Sequence, residues 1–595
     1  MPPLTTPLAD LRDALLRHDL HAYLLPNSDP HGSEYLPAYW RLMPWLTGFT
    51  GSAGTVIVTP DFAGVWTDSR YFLQAAKELA DSGFELMKLK VPHTPEYQDW
   101  LCEQLPAGSR VGVDGRLLSL AQFRRLERRL ARHGLILSDT PDLLNSLWAT
   151  RPPFPDAPVV DHPVELAGLP RAAKLDQLRR RLAQRQARVH LLSSLDDIAW
   201  LFNLRGADVA YNPVFLAYAL ITPEQAILFL DRDKLSPDLQ AELAADGIRI
   251  AGYHDIADHL NALRPGDRLW IDPERVSRWL SQQWPALIDL EEAPNPSTQL
   301  KAVKTASEIS HLRQVMIRDG LALVRFLRYL EQVLPDGHLT EYTLAEHLEA
   351  FRREQPRYVG PSFGTIAGYQ GNGAIVHYSA QPDTAATLRP EGLLLLDSGG
   401  QYHDGTTDIT RTLTLGDPTG EQRRDFTLVL KGHIALATAI FPQGTTGVQL
   451  DSFARRPLWD HLVNFGHGTG HGVGFFLNVH EGPQRISPSP QAKAPFEPGM
   501  LTSNEPGLYH AGQYGIRIEN LILCVEEGET EHFGKFLGFE TLSLCPIDLK
   551  LVDKSLLSEP ETIWLNRYHA KVYEALAPHL DEAELDWLRD RTQAL

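Results

Sequence analysis

Four carboxylates and one imidazole stand in glycine-rich or strand-like settings in the last third of the chain: Asp397, Asp408, His471, Glu505 and Glu519. Two divalent cations would balance the four carboxylate charges and leave room for a bridging hydroxide. Paired metals about 3.5 to 4 Å apart make such a hydroxide a strong nucleophile near neutral pH. Because oxygen ligands with one nitrogen favour hard or borderline ions, we expect two metal ions, with Mn²⁺ preferred over Co²⁺ or Zn²⁺.

The two aspartates flank a predicted β-hairpin. Asp397 ends the apolar run 393–396, and Asp408 opens the alternating stretch 408–415, with Asp404-Gly405 between them as a turn signal. Two antiparallel strands would bring both carboxylates to one site. In isolation, however, two aspartates around a turn are more often a solvated hairpin, so the hypothesis depends on the other ligands.

The two glutamates have a similar arrangement. The region from Gly507 to Gly515 predicts a turn, and the stretch from Gly515 to Glu519 alternates like a strand. On such a strand Arg517 and Glu519 would share a face, where Arg517 could orient or charge-balance the carboxylates. The alternative is an exposed salt bridge, which is the usual role of an isolated Arg-x-Glu.

Two histidines four residues apart lie in the segment from Phe465 to Gly474, here called the histidine loop. Its interleaved glycines argue against a helical His467 and His471 pair and would let backbone pass close to a ligand. One of the two histidines should bind metal. The other is free for hydrogen bonding or proton transfer, as are two further histidines, His377 and His480.

The bulk composition restricts the class of protein. A chain of 595 residues exceeds one core, and we expect three to five units at about 100 to 200 residues each. The hydrophobic content of 43% and charged content of 22% are those of a soluble globular protein. A net charge of −19 opposes binding to nucleic acid or anionic membranes.

The cysteines and the N-terminus indicate the compartment. Three distant cysteines, Cys102, Cys524 and Cys545, predict neither a disulfide framework nor a thiolate metal site. Residues 1–25 lack a secretory pattern, and no run reaches the roughly 18 apolar residues of a membrane span. We therefore expect a cytoplasmic protein.

A weak internal repeat predicts two tandem α/β modules. Five positions recur at an offset of 167 (175 − 8), beginning with Leu8 and Leu175 and ending with Asp29 and Asp196. Further positions recur at an offset of 163 (222 − 59). Each module opens with an amphipathic helical pattern and continues with short strand-like runs, such as 54–59 and 226–230.

Prolines mark the boundaries between modules. A proline-rich segment, 152–163, separates the first two, and Pro294 and Pro296 form a shorter second linker. After it, Thr305 or Ser307 can cap a helix that continues to Leu330. The predicted domains are therefore 1–152, 153–300 and 301–595, and the third holds every candidate metal ligand.

The chain also resembles a known family, the Xaa-Pro aminopeptidases, related to methionine aminopeptidase, prolidase and creatinase. The resemblance spans nearly the full length. It is strongest in four passages that together contain all five candidate metal ligands: 396–412, 467–483, 503–507 and 515–520.

This resemblance implies a fold and a set of roles. The fold would be a C-terminal "pita-bread" metallopeptidase domain behind two tandem creatinase-like α/β domains. Asp408 and Glu519 would bridge the metals, Asp397 would complete one, and His471 and Glu505 the other. Glu505 would be the general base.

The resemblance also implies residues that contact the peptide. His377 and His480 would bind substrate and stabilise the tetrahedral intermediate, His467 would line the pocket, and Arg70 would reach toward the peptide. His471 and Arg517 are further candidate substrate contacts. The tail 541–595 resembles the long cytosolic branch of the family, which commonly forms homodimers through the catalytic domain. Trp459 and Phe465 are candidate interface aromatics, with a core role as the alternative.

The expected function is the release of one N-terminal residue from peptides with proline at position two. Prolidase, which cleaves Xaa-Pro dipeptides with the same ligands, is a close alternative, although the two-module N-terminal half favours the aminopeptidase. A non-catalytic binding module is the alternative from another class. It is disfavoured because all five ligands and the accessory histidines are present.

Overall fold

The computed structural model describes residues 6–90, 94–140 and 143–595. The chain forms two compact units, Met1–Asp161 with Leu169–Ser297, and His162–Gly168 with Thr298–Leu595. Residues 1–5, the start of the segment inspected for a leader sequence, lie outside the described residues. Within the described ranges, no helix is both long and apolar enough to cross a membrane.

The first unit contains two six-stranded sheets with the same topology. In chain order the strands are Ala22–Pro26, Thr55–Val58, Ala63–Thr67, Glu85–Lys88, Arg110–Val113 and Ile136–Asp139 in one sheet, and Val189–Leu192, Tyr218–Ile221, Ala226–Phe229, Ile248–Ala251, Arg268–Ile271 and Asp289–Glu292 in the other. Numbered within its own sheet, each set lies in the order 4-3-2-1-5-6. The identical order confirms the internal repeat, including both strand-like runs predicted from it.

Helices cover these sheets and bury their apolar faces. Those of the first unit are Pro7–Arg17, Leu42–Thr47, Phe72–Glu78, Tyr97–Gln104, Leu120–Ala131, Arg171–Gln184, Leu195–Leu201, Pro237–Ala245, Ile256–Asn261 and Arg278–Ser281. A short ladder pairs Val160–Asp161 with Leu204–Arg205. Burial of Leu11 and Leu15 in one module, and of Leu178 and Leu182 in the other, shows that the repeated apolar pattern faces a core.

The longest helix described in the second unit is Ala306–Val333. Of the two expected caps, Thr305 is used: its hydroxyl accepts from Glu308 N, and the Glu308 carboxylate accepts from Thr305 N. This reciprocal capping box satisfies N–H groups at the helix start. The other helices of the unit are Val164–Ala167, Glu341–Arg353, Gly420–Ala437, Gly447–Trp459, Glu559–Leu576 and Glu582–Arg591, while Pro296–Ala302 crosses the boundary between units.

Antiparallel strands form the sheets of the second unit. One three-stranded sheet contains Ile366–Tyr369, Leu393–Ser398 and Ile409–Thr414, and another contains Tyr358–Pro361, Gly400–Tyr402 and Gly405–Thr406. A six-stranded sheet orders Phe441–Pro442, Gly534–Thr541, Asn520–Thr530, Leu501–Asn504, Gly470–Gly472 and Glu481–Ile486. A separate ribbon pairs Gly507–His510 with Tyr514–Arg517.

The strand that carries Asp397 is buried on both faces. Leu394 and Leu396 pack in one hydrophobic cluster and Leu393 in another. Such two-sided packing explains why the sequence there is a continuous apolar run rather than an alternation. Phe465 is also core, with 3% exposure, so the interface role considered for it is wrong.

Candidate metal centre

The hairpin predicted around the two aspartates is present. Strand Leu393–Ser398 pairs antiparallel with Ile409–Thr414, and Asp397 lies opposite Thr410. Asp408 is the residue directly before the second strand. The connection contains a smaller two-stranded pairing, so it is longer than a simple turn. This register places both carboxylates at the same end of the hairpin.

The segment after Glu505 contains the predicted turn only at residues 511–513, and the residues on either side of it form a two-stranded ribbon. Strand Gly507–His510 pairs with Tyr514–Arg517. The continuous strand expected to reach Glu519 is also interrupted, because the Glu519 N–H donates to the carbonyl of Thr410 at 3.1 Å. Here the backbone changes partner from the ribbon to the aspartate hairpin. That change of partner brings Glu519 beside the aspartates.

The histidine loop contains a short strand, Gly470–Gly472, and no helical pair of histidines. We expected its glycines to bring backbone close to a ligand; what they bring close is neighbouring backbone. A Cβ on Gly470 would lie 1.9 Å from the carbonyl oxygen of Ser503, and one on Gly472 would lie 2.3 Å from that of Glu481. Only glycine permits this approach, which places His471 between two strands.

His471 presents one ring nitrogen to two carboxylates. Its Nδ1 lies 3.0 Å from the carbonyl of Gly472, so in the neutral ring Nδ1 carries the proton and Nε2 the lone pair. Nε2 lies 3.5 Å from Asp408 Oδ2 and 3.4 Å from Glu505 Oε1. Burial disfavours the charged ring, but hydrogen bonding to Asp408 and the charge of Glu505 outweigh it and raise the pKa of His471 to about 9.

The carboxylates are buried close to one another. Burial raises the pKa of Asp397, helped by Asp408 and opposed by Arg517. Burial and three neighbouring carboxylates raise the pKa of Glu519 well above its usual range. Burial also raises the pKa of Glu505 to about 7, although His471 and Arg517 oppose it. Crowded acidic groups of this kind are stabilised by bound cations.

These residues fit divalent cations. Asp408, His471 and Glu519 each offer a donor atom, and these atoms lie within 4.8 Å of one another. Asp397 Oδ1 and Glu519 Oε1 are buried and have no hydrogen-bond partner within the described part of the chain. Leaving buried carboxylate oxygens without donors is costly, and coordination to a hard cation would remove that cost.

Arg517 lies beside the carboxylates, where its charge was expected to act. It is 2% exposed, and its Nη2 donates to Asp397 Oδ2 at 2.6 Å. Its Nη1 donates to the hydroxyl of Tyr509 at 2.8 Å, and that hydroxyl lies 2.8 Å from Nε2 of His467. Sequence reasoning missed Tyr509, because a lone tyrosine on a short ribbon has no distinguishing pattern.

The other proposed substrate contacts, His480, His377 and Arg70, have different neighbours. The ring of His480 packs edge-on against His471 with centroids 4.3 Å apart. His377 follows Val376, whose carbonyl lies 3.5 Å from Arg517 Nη2. Arg70 belongs to the first unit, where its guanidinium donates to the carboxylate of Asp68 at 2.8 Å.

A buried ion pair on helix Gly447–Trp459 holds the histidine loop. Arg455 Nε donates to Asp451 Oδ2 at 2.6 Å, and its other nitrogens donate to the carbonyls of Phe465 at 2.7 Å and His467 at 2.6 Å. Asp451 also accepts from the hydroxyl of Thr469 at 2.7 Å. Sequence reasoning missed the role of this i,i+4 pair, because the groups that it holds belong to the histidine loop, a separate element.

We expect Arg455→Met to destabilise the second unit by about 3 to 5 kcal/mol, because it leaves the carboxylate of Asp451 buried without its partner. Arg456→Met is the matched control, since the Arg456 and Asp460 side chains are 74% and 53% exposed and such pairs contribute roughly 0.2 to 1 kcal/mol. Denaturant unfolding would measure both. Equal losses would contradict the bracing role of Arg455.

Comparison with known proteins first defines a class of enzyme. Residues 310–526 match the model of Metallopeptidase family M24, and residues 535–595 match the C-terminal region of that peptidase. Residues 7–147 and 150–308 each match a creatinase/prolidase N-terminal domain. These matches confirm the expected architecture of two creatinase-like domains before a metallopeptidase domain.

Relatives that match over the full length identify the family within this class. A probable Xaa-Pro aminopeptidase P of Coprinopsis cinerea is 40% identical, covering 98% of this chain and 97% of that protein. Another, from Paracoccidioides lutzii, is 41% identical with 99% and 98% coverage. The chain belongs to the Xaa-Pro aminopeptidase P family.

Solved structures agree with this family. The X-prolyl aminopeptidase of Caenorhabditis elegans, described as a cytosolic enzyme with a di-nuclear active site, matches with a TM-score of 0.94 and 35% identity over 99% of both chains. A Xaa-Pro dipeptidase from Bacillus anthracis matches with a TM-score of 0.51 and 23% identity, covering 64% of this chain and 99% of that one. The second match supports the fold alone.

Proposed function

We propose that this protein is a metallo-aminopeptidase that releases the N-terminal residue from peptides whose second residue is proline. The observation that carries the proposal is the identity of 40% to 41% with Xaa-Pro aminopeptidase P relatives over nearly the whole chain. Five potential metal ligands that lie on strands or directly beside them, and that interact electrostatically with one another, support the same conclusion.

The five residues would hold two divalent cations: Asp397, Asp408, His471, Glu505 and Glu519. Bound there, the cations would activate water as a nucleophile and polarise the scissile carbonyl. Asp408 and Glu519 would be shared, Asp397 would complete one site, and His471 with Glu505 the other. The oxygen-rich set favours Mn²⁺ over Co²⁺ or Zn²⁺, and the metal content of the purified protein would test this order.

Glu505 would act as the general base. Its side chain is 18% exposed, compared with 11% for Asp397 and 5% for Asp408, so it is more accessible to water than either aspartate. The Ser503 hydroxyl donates to Glu505 Oε1 at 3.0 Å, and the Glu505 N–H donates to the carbonyl of Thr469 at 2.8 Å. These bonds hold the carboxylate in place while leaving Oε2 to take and return a proton.

The histidines and Arg517 would have different tasks. His377, His467 and His480 would bind the peptide and stabilise the charge that develops on the scissile carbonyl. Arg517, a candidate substrate contact by sequence, is buried and bonded to Asp397 and Tyr509. We therefore assign it to orienting Asp397. Arg70 stays a proposed contact to the peptide.

Peptide length distinguishes the aminopeptidase from prolidase. We expect metal-stripped protein to be inactive and added Mn²⁺ to restore cleavage of a Xaa-Pro-Xaa tripeptide after its first residue. The matched Xaa-Pro dipeptide should be cleaved more slowly. Chromatography of the products would measure both rates. Preference for the dipeptide would favour prolidase, and cleavage of neither peptide would favour a non-catalytic binding protein.

We also propose a cytoplasmic homodimer formed through the catalytic domain. The relative from Caenorhabditis elegans is described as cytosolic. On the second unit Trp459 is 45% exposed and Leu462 is 96% exposed, and neighbouring large apolar side chains of this kind are typical of an interface. Sedimentation equilibrium would test the dimer, and a monomeric mass across micromolar concentrations would exclude it.

A further inference from the structure

A buried polar network in the second unit takes no part in the proposed mechanism. Its members are Arg411, His433, Asn520 and Tyr568, with exposures of 3%, 0%, 0% and 4%. Burying such groups costs free energy unless their donors and acceptors are paired. Every partner described below lies in the same unit of the structure.

Arg411 connects this network to Glu519. Its Nη1 donates to the carbonyl of Glu519 at 2.7 Å and to that of Thr410 at 2.9 Å. The hydroxyl of Thr410 donates in turn to Glu519 Oε2 at 2.8 Å. Arg411 therefore holds the Glu519 backbone, and the residue next to Arg411 holds the Glu519 carboxylate.

His433 connects the residues adjoining both glutamate ligands. Its Nδ1 lies 3.1 Å from the carbonyl of Asn504, and its Nε2 lies 3.1 Å from Asn520 Nδ2. Because a carbonyl only accepts, Nδ1 donates and Nε2 accepts, as a neutral ring requires. Asn504 precedes Glu505 and Asn520 follows Glu519. The two ligands are thus tied together through the residues next to them.

The C-terminal region closes the network. Tyr568 lies on helix Glu559–Leu576, and its hydroxyl accepts from Arg411 Nη2 at 2.8 Å while lying within 3.2 Å of Asn520 Oδ1. Arg411 also donates to the carbonyls of Cys545 at 2.8 Å and Pro546 at 3.0 Å. Several hydrogen-bond acceptors of the Arg411 guanidinium therefore belong to residues 535–595, the segment that matches the peptidase C-terminal region.

We propose that the C-terminal region helps to position the ligands of the metal centre, with Tyr568 and Arg411 as positioning residues for Glu519. The proposal rests on the proposed function, because it takes Glu519 as a metal ligand. Partners that orient ligands typically change metal affinity about 10- to 100-fold when they are removed. The same network would also hold Glu505 in register through His433.

The test measures Mn²⁺ binding to full-length, metal-stripped protein by titration calorimetry. We expect Tyr568→Phe, which removes one hydroxyl and keeps the ring, to weaken Mn²⁺ binding by about 10-fold. Tyr573→Phe is the matched control: it lies on the same helix, and its hydroxyl bonds Arg589 instead of the network. The control should stay within about two-fold of the unmodified protein.

Thermal unfolding of the metal-free proteins separates positioning from a purely structural role. A lower midpoint for Tyr568→Phe with unchanged Mn²⁺ affinity would overturn the proposal, as would equal affinity losses in both variants. Asn520→Ala removes another side-chain partner of the Tyr568 hydroxyl and should weaken Mn²⁺ binding in the same way. Unmodified protein that binds Mn²⁺ but cleaves no peptide would sink the proposed function alone, whereas absence of Mn²⁺ binding would overturn both.

Discussion

Glu505→Gln is expected to lower kcat/KM for a Xaa-Pro-Xaa tripeptide by roughly 10²- to 10⁴-fold, the usual contribution of a general base. The amide keeps the volume of the side chain but cannot take a proton from water. The bonds that position residue 505 involve its backbone N–H and one side-chain oxygen, and both survive the change. The fold should therefore persist.

Two measurements make this result specific. Circular dichroism and the unfolding midpoint should match those of the unmodified protein, and the loss should appear in kcat at saturating Mn²⁺. Glu529→Gln, an exposed change on strand Asn520–Thr530, is the control and should leave kcat/KM unchanged. Retention of full activity by the Glu505 variant would remove it from the role of base.

Asp408→Asn should weaken binding of at least one Mn²⁺ by about 100-fold or more, beyond the 10- to 100-fold typical of partners that only orient ligands. The substitution removes a charge shared between both proposed metal sites. Calorimetric titration of metal-stripped protein would measure the affinity, and the metal content after dialysis would give the stoichiometry. Two tightly retained ions would contradict the bridging role.

Without metal, the same variant should be at least as stable to unfolding as the unmodified protein. The charge of Asp408 contributes to the raised pKa of Asp397 and of Glu519, so its removal relieves repulsion between buried carboxylates. We expect the unfolding midpoint without metal to stay equal or rise. Asp417→Asn, at an exposed position after the same hairpin, should change neither metal affinity nor midpoint.

Several features of the catalytic unit were predictable because their patterns are local. The apolar run before Asp397 and the alternation after Asp408 predicted the two strands and their antiparallel pairing. The candidate caps before residue 309 predicted the start of helix Ala306–Val333, and the recurring pattern predicted two similar α/β modules. In each case residues close in sequence specify the element.

The prediction was wrong where glycines lie within β-strands. Gly507 and Gly515 suggested a turn from 507 to 515, but both lie in strands of the ribbon and the turn spans only residues 511–513. A Cβ on Gly515 would lie 1.8 Å from the carbonyl oxygen of Gly373, so this glycine allows close packing of backbone rather than chain reversal. Composition alone does not distinguish those two uses of glycine.

The sequence by itself determined the kinds of ligand, the two strands of the aspartate hairpin and the order of the domains, because side-chain chemistry and short-range periodicity are written locally. Only the tertiary structure decided how the ligands are held. Tyr568 is 157 residues from Arg411, and Arg517 is 120 residues from Asp397. Contacts between groups so far apart follow no local period. They arise when packing of the whole unit buries polar groups that must then pair with one another.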